Sequence, residues 1–231
     1  MLVLGIETAT DVCAVGLVDA SGERARPLAE FSVLRPRRHG AALAPLVRAA
    51  LDAAGEAPEA LGAVAVSAGP GSYTGLRIGV STAKGLCMAT GAALVAVPTT
   101  WALASGARTQ AGPATVVCAL PSRRGEVYAA AYRVDDGHVA EVRPPTALAL
   151  TPEAWAGWVP PSDGIGVVGP ATAAVLPIAG GTARALDGQV SGAEVARLGL
   201  ARLRAGQAED VGSFEPDYLK GFVSGDGRSG G

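Results

Sequence analysis

Gly62-Ala-Val-Ala-Val-Ser67, then Gly69-Pro-Gly-Ser-Tyr-Thr74, then a run of small and apolar residues over 75–90 decide the fold. The first piece is a short apolar run closed by polar residues, which is how a strand buried on both faces of a parallel sheet reads. The second is a loop: its glycines permit positive φ and close backbone approach, Pro70 stiffens it, and Ser72 or Thr74 can cap the next helix. The third is predicted helical. Upstream, Leu43, Leu46, Val47, Ala50 and Leu51 recur at helical spacing and predict a helix over 39–54. Before it come apolar strands at 2–7, 12–18 and 28–34, the first two split by the Thr8-Ala-Thr-Asp11 turn. Downstream, a buried strand is predicted over 92–97 and a helix over 99–107.

Three strands in meander followed by alternating helix and strand is the order of a ribonuclease H-like lobe, and two such lobes build the actin, sugar-kinase and Hsp70 architecture. Strands at 115–120, 126–134, 138–143 and 165–168, with helices at 151–158 and 191–205, fit a second, degenerate copy. The expected class is therefore α/β with two lobes. The first spans 1–110 and carries the partner-binding helices, the second spans 111–223, and 224–231 forms a flexible Gly/Ser-rich tail. Whether the last helix packs back on the first lobe is open from sequence.

Composition narrows the function. The 231 residues are 49% hydrophobic and 17% charged, enough apolar surface for a sizeable core, and the net charge is -2. No global basic field draws the chain to nucleic acid or an anionic membrane. Three widely spaced cysteines, Cys13, Cys87 and Cys118, read as small buried hydrophobes, not as a disulfide or zinc framework. The uncharged stretch from Gly85 to Ala107 is broken by Gly91, Pro98, Thr99 and Thr100, so no membrane span is expected. The N-terminus reads as a strand and not a leader, which predicts a cytoplasmic protein.

Groups that do chemistry are sparse. His39 and His138 are the only histidines and form no HxxxH or HExxH pair, so no metal site is expected. His39 itself reads as a capping or surface histidine. The Gly69–Thr74 loop lacks the Lys-Ser/Thr of a P-loop. What remains is a candidate phosphate or nucleotide loop made of Glu7, Thr8, Thr10, Gly69, Gly71 and Ser72, for which pure turn and capping geometry is an equal reading. Gly75, Gly79 and Ala83 form a smooth ridge on an Ala-rich helix pair and, with Leu43 and Val47, are the candidate partner interface. Arg35, Arg37 and Arg38 are candidate RNA contacts or an ordinary solvated strand end.

These segments together resemble the TsaB (YeaZ) family, which takes part in making threonylcarbamoyladenosine on tRNA. The resemblance is carried by Gly5-Ile-Glu-Thr-Ala-Thr10, Arg38-His39, Ala68-Gly-Pro-Gly-Ser-Tyr-Thr-Gly-Leu-Arg-Ile-Gly-Val80, Ala83-Lys-Gly-Leu86, Arg123-Arg-Gly-Glu-Val-Tyr128 and Glu215-Pro-Asp-Tyr-Leu219. It implies a non-catalytic paralogue of TsaD. Thr99 and Leu103 stand at the spacing where the catalytic relative carries a histidine pair, and Val168-Gly-Pro-Ala-Thr-Ala173 stands where it carries a Gly-Gly nucleotide segment. Leu120-Pro121-Ser122 stands where the family often has an Asp. The implied partners are a TsaD-like catalytic subunit and a TsaE-like ATPase, with tRNA met only through the complex and a homodimer formed when alone. No catalytic residues, metal or cofactor of its own are implied; ATP or ADP enters only at a complex interface. The alternatives are a sugar-kinase-like phosphotransferase using Asp11 or Glu7 as base, and a glycoprotease-type metalloenzyme.

Overall fold

A computed structural model of the chain describes residues 1–22, 25–112, 114–162, 164–181 and 183–219. The expected tail at 224–231 lies outside the described residues. The first lobe is built on β1 (Leu2–Glu7), β2 (Cys13–Asp19), β3 (Arg26–Val33), β4 (Leu61–Gly69) and β5 (Ala93–Pro98), in spatial order β3-β2-β1-β4-β5. β1–β3 pair antiparallel, while β4 and β5 join parallel to β1, which is the ribonuclease H arrangement. The second lobe repeats it with β6 (Ala114–Pro121), β7 (Glu126–Asp135), β8 (His138–Ala149), β9 (Ile165–Val168) and β10 (Ala183–Ala185), in order β10-β9-β6-β7-β8.

Helices α1 (His39–Ala54) and α2 (Tyr73–Thr90) cover the outer face of the first sheet. Helices α4 (Pro152–Trp158) and α5 (Thr172–Ala179) cover the outer face of the second. The remaining helices, α3 (Thr99–Ala111) and α6 (Gly192–Arg204), lie between the two sheets. One hydrophobic cluster runs through them without a break: Val3, Val95 and Val97 of the first sheet, Leu103 and Ala107 of α3, Val195 and Leu198 of α6, and Val116, Leu120 and Tyr132 of the second. Among the described residues, the halves thus share their largest core instead of meeting at a polar hinge.

α6 approaches the first sheet at backbone distance. A Cβ at Gly5 or Gly16 would strike the backbone of Gly192, Ala193 or Ala196, and one at Gly192 would strike Val15 and Gly16. Glycine is required there because no side chain fits between strand and helix. Glu30 on β3 fastens the helix start, its carboxylate accepting from Gly192 N (2.8 Å) and Ala193 N (2.6 Å). Beyond α6, residues 207–219 form a strap: Glu209 N donates to Leu94 O on β5 (2.8 Å), Lys84 Nζ on α2 donates to Gly212 O and Phe214 O (3.1 and 3.0 Å), and Asp217 N donates to Ala68 O (2.7 Å).

All three cysteines are buried and unpaired, and burial pushes the Cys13 and Cys87 thiols up to about 11. No described helix is long and apolar enough to cross a membrane. α5 and β10 were not among the expected elements. Both are short, and α5 holds Pro177, so neither presents enough periodic residues to be read. They complete the second copy of the lobe.

Candidate functional site

β1 ends on Glu7, whose carboxylate is fully buried. Its Oε1 accepts from Thr10 N (2.9 Å) and Thr10 Oγ1 (3.0 Å), and its Oε2 accepts from Ser67 Oγ on β4. Burial raises the carboxyl to about 7, against the lowering pull of these donors. Thr8 Oγ1 donates to Gly75 O (2.8 Å). His39 opens α1 and is buried, with Nε2 facing Thr10 O (2.9 Å) and Val12 O (3.1 Å). Both partners are carbonyls, so Nε2 carries the proton and donates. The surface or capping reading of His39 is thereby corrected: α1 has no side-chain cap bond, and the imidazole latches the helix to the β1–β2 turn.

The proposed phosphate loop divides. Thr10, Gly71 and Ser72 line a cavity of about 150 Å³ with Asp11 and Pro170. It adjoins a cleft of about 900 Å³ between the lobes that Thr10 and Asp11 share with Leu103, Gly169, Asp187 and Val190. Glu7 and Thr8 do not face this space; their polar atoms are spent inside the fold. Gly69, with φ 124, is pressed against Asp217 O, where a Cβ has no room. Among the described residues, the charged ones lining the large cleft are Asp11 and Asp187, both acidic. That lining repels bare phosphate.

The ridge reading needs correction. Gly75, Gly79 and Ala83 are buried and face this chain's own sheet: a Cβ on Gly75 would meet Thr8 O, and one on Gly79 would meet Thr8 Oγ1, then Val66 at 3.4 Å. Leu43 and Val47 lie in the same core as Val64, Val66 and Val80. Small residues at i±4 allow close approach to a helix or a sheet alike, and here they serve the sheet. The outward face of the pair carries Ala41, Ala44, Pro45 and Arg48 on α1, and Arg77, Ser81, Gly85 and Met88 on α2. Met88 is 78% exposed and Gly85 has nothing within 4 Å of its Cβ direction.

Arg35, Arg37 and Arg38 are exposed on the β3–α1 loop, where Arg37 takes φ 62. Thr99 and Leu103 are buried within α3. Sequence reasoning missed one feature: Tyr218, brought by the strap, stacks on Tyr73 at the start of α2, ring centroids 4.8 Å apart, with the Arg77 guanidinium 5.6 Å from the Tyr73 ring centre. The pieces Gly69–Arg77 and Glu215–Leu219 were both visible in the sequence; nothing in their spacing showed that they meet.

Comparison with known proteins agrees with this architecture. A family model described as "TsaD: tRNA N6-adenosine threonylcarbamoyltransferase" matches residues 34–151, half of the chain. The tRNA threonylcarbamoyladenosine biosynthesis protein TsaB of Escherichia coli is 35% identical over 139 residues, covering 60% of this chain and 58% of that protein. The Bacillus subtilis TsaB is 31% identical over 144 residues, covering 62% and 60%. The chain thus spans less than two thirds of the length of these relatives. The solved structure of YeaZ from Pseudomonas aeruginosa superposes with a TM-score of 0.80 at 26% identity, covering 94% of this chain and 99% of that one. With the paired lobes, the Gly-Pro-Gly loop and these likenesses together, the chain belongs to the TsaD family and, within it, to the TsaB/YeaZ group.

Proposed function

We propose that the protein takes part in tRNA threonylcarbamoyladenosine biosynthesis as a non-catalytic subunit that docks and supports a TsaD-like catalytic partner. The observation that carries this is the outward face of α1 and α2: two long helices with small residues and a bare Met88 standing off a well-packed sheet. A low-relief helical face of small residues around one exposed apolar side chain, with Arg48 and Arg77 among them, is suited to packing against other helices. The cleft supports the same reading, since Glu7 is sealed away from it and its charged lining is acidic. Thr99 and Leu103, buried in the core, offer no metal ligands at the place where the catalytic relative has histidines.

In this reading the same face pairs two copies of the chain when the partner is missing, a TsaE-like ATPase joins the assembled complex, and tRNA is met through that complex. The protein needs no cofactor of its own. The test is co-purification with the TsaD-like protein of the same organism. Met88→Asp is expected to abolish association while leaving the melting temperature unchanged. Retained association in that variant removes α2 from the interface, and acyl transfer or ATP turnover by the isolated chain overturns the non-catalytic role.

A further inference from the structure

The Tyr73–Tyr218 pair borders a third cavity, which shares Gly71 and Pro121 with the 150 Å³ one and no lining residue with the large cleft. It measures about 210 Å³ and lies between the Pro70-Gly71 turn, the Pro121–Arg123 loop of the second lobe, Tyr128 and the end of the strap. Three features of its wall point to a ligand. The first is aromatic and proline surface on several sides, from Tyr73, Tyr128, Tyr218, Pro70 and Pro121. The second is Ser122 Oγ, which is buried without a hydrogen-bond partner among the described residues, although buried hydroxyls are ordinarily satisfied. The third is an acidic and a basic residue in the same lining, Asp217 and Arg123. A second groove of about 320 Å³ shares the same two tyrosines and adds Arg77, Ser81 and Lys84.

The cavity is smaller than the roughly 300–1,000 Å³ that takes a drug-sized ligand. It suits one planar ring system. A planar ring with polar edges, set among aromatic faces and next to cations, is the chemistry of a nucleobase carrying its phosphate. We infer that this cavity is a binding site for a single unstacked nucleotide. The base lies among the tyrosines, its edge is read by Ser122 and Asp217, and its phosphate is met by Arg123 or, along the neighbouring groove, by Arg77. The cavity is lined within this one chain, so the isolated chain can bind whether or not the α1/α2 face docks a catalytic subunit, although Arg77 belongs both to that face and to the neighbouring groove. None of Arg35, Arg37 and Arg38 lines the cavity, so the two RNA-contact ideas are separable by substitution.

The experiment is equilibrium binding of the full chain to two probes, AMP and a short RNA hairpin with an unpaired adenosine-containing loop. Tyr218→Ala is expected to weaken binding by roughly 5- to 150-fold, the range set by base–aromatic stacking of ~1–3 kcal/mol. Ser122→Ala, which removes one hydroxyl and leaves the strap intact, is expected to weaken it by roughly 5-fold or more. Replacing Arg35, Arg37 and Arg38 with Ala should leave AMP binding unchanged. Saturable binding of AMP that the hairpin does not improve identifies a free nucleotide as the ligand. Binding of the hairpin alone identifies a strand. Failure of both probes at millimolar concentration, or binding that neither variant alters while both remain folded by circular dichroism, overturns the inference.

Discussion

The two lobes have the same strand order, yet only the first keeps long helices on its outer face. Between its third and fifth strands lie α1, of 16 residues, and α2, of 18; the corresponding helices of the second lobe, α4 and α5, have 7 and 8. β4 runs for 9 residues, whereas its counterpart β9 runs for 4. The helices that close the two copies, α3 and α6, are exchanged: each comes after the last strand of its own lobe and packs against the other sheet. A lobe trimmed to the minimum can persist because its partner supplies its inner cover. What the first lobe retains beyond that minimum is an outer helical face, and surface kept in excess of what the fold requires is where function is to be sought.

The largest test of this comparison is at the exchanged helix. Gly16→Val places a branched side chain against the backbone of Gly192 and Ala193, which cannot give way. It should abolish folding or cost more than ~4 kcal/mol, read as insolubility or loss of the thermal transition. A contrasting change in the second lobe, Gly166→Ala on β9, meets the side chain of Leu186 first, where Gly16 meets backbone. It should cost about 1–3 kcal/mol and leave a cooperative melt. Equal costs in the two lobes would break the contrast. Gly79→Leu, on the inner side of α2, should likewise unfold the chain by overpacking against Thr8 and Val66, while Met88→Asp on the outer side leaves stability alone.

The strand ends differ as well. β1 ends on buried Glu7, while β6 ends on exposed Pro121. Folding holds the Glu7 proton to about 7, whereas the unfolded chain releases it near 4.5. The native state therefore binds more protons between these values. The stability from this group is complete below about pH 4.5, falls as the pH rises, and levels off above about 7, a change on the order of 3 kcal/mol. Urea midpoints across that range should fall for the wild type and fall less for Glu7→Gln. Identical profiles would mean that the carboxylate is ionised in its network. The smallest effect is expected at the β3–α1 loop. Replacing Arg35, Arg37 and Arg38 with Ala should change stability by less than about 0.5 kcal/mol. If the loop touches tRNA in the assembled complex, the salt slope of binding should flatten by ~0.7–0.9 for each phosphate no longer neutralised.

Legibility tracked how distinct each element's apolar pattern was. α1 could be read directly from its helical apolar period, and β1 and β9 from unbroken apolar runs closed by Glu7 and by Gly164 and Gly169. α5 and β10 are too short for any period to show. The strap over 207–219 has no pattern at all, since its order comes from backbone bonds to β5, α2 and β4. At the candidate site, sequence identified the Gly69–Arg77 block but not its direction. The spacing of Gly75, Gly79 and Ala83 specifies a smooth helix face and is silent about which body lies against it. Likewise Leu43 and Val47 mark an apolar face, which in a helix on a sheet is the core side. The Tyr73–Tyr218 contact joins residues that only the tertiary fold brings together.

The order of synthesis gives the exchanged helix a further meaning. β1 and β2 leave the ribosome ahead of the other described elements, whereas the helix that covers their inner face follows all of them. Until Gly192 and Ala196 arrive against Gly5 and Gly16, a nascent chain carries a bare, glycine-lined strand pair with nothing to close it. Contacts so distant along the chain form slowly and leave apolar strands open to wrong pairing in the interval. Chains interrupted before α6 should therefore be substrates for chaperones and proteases, however complete their first lobe looks.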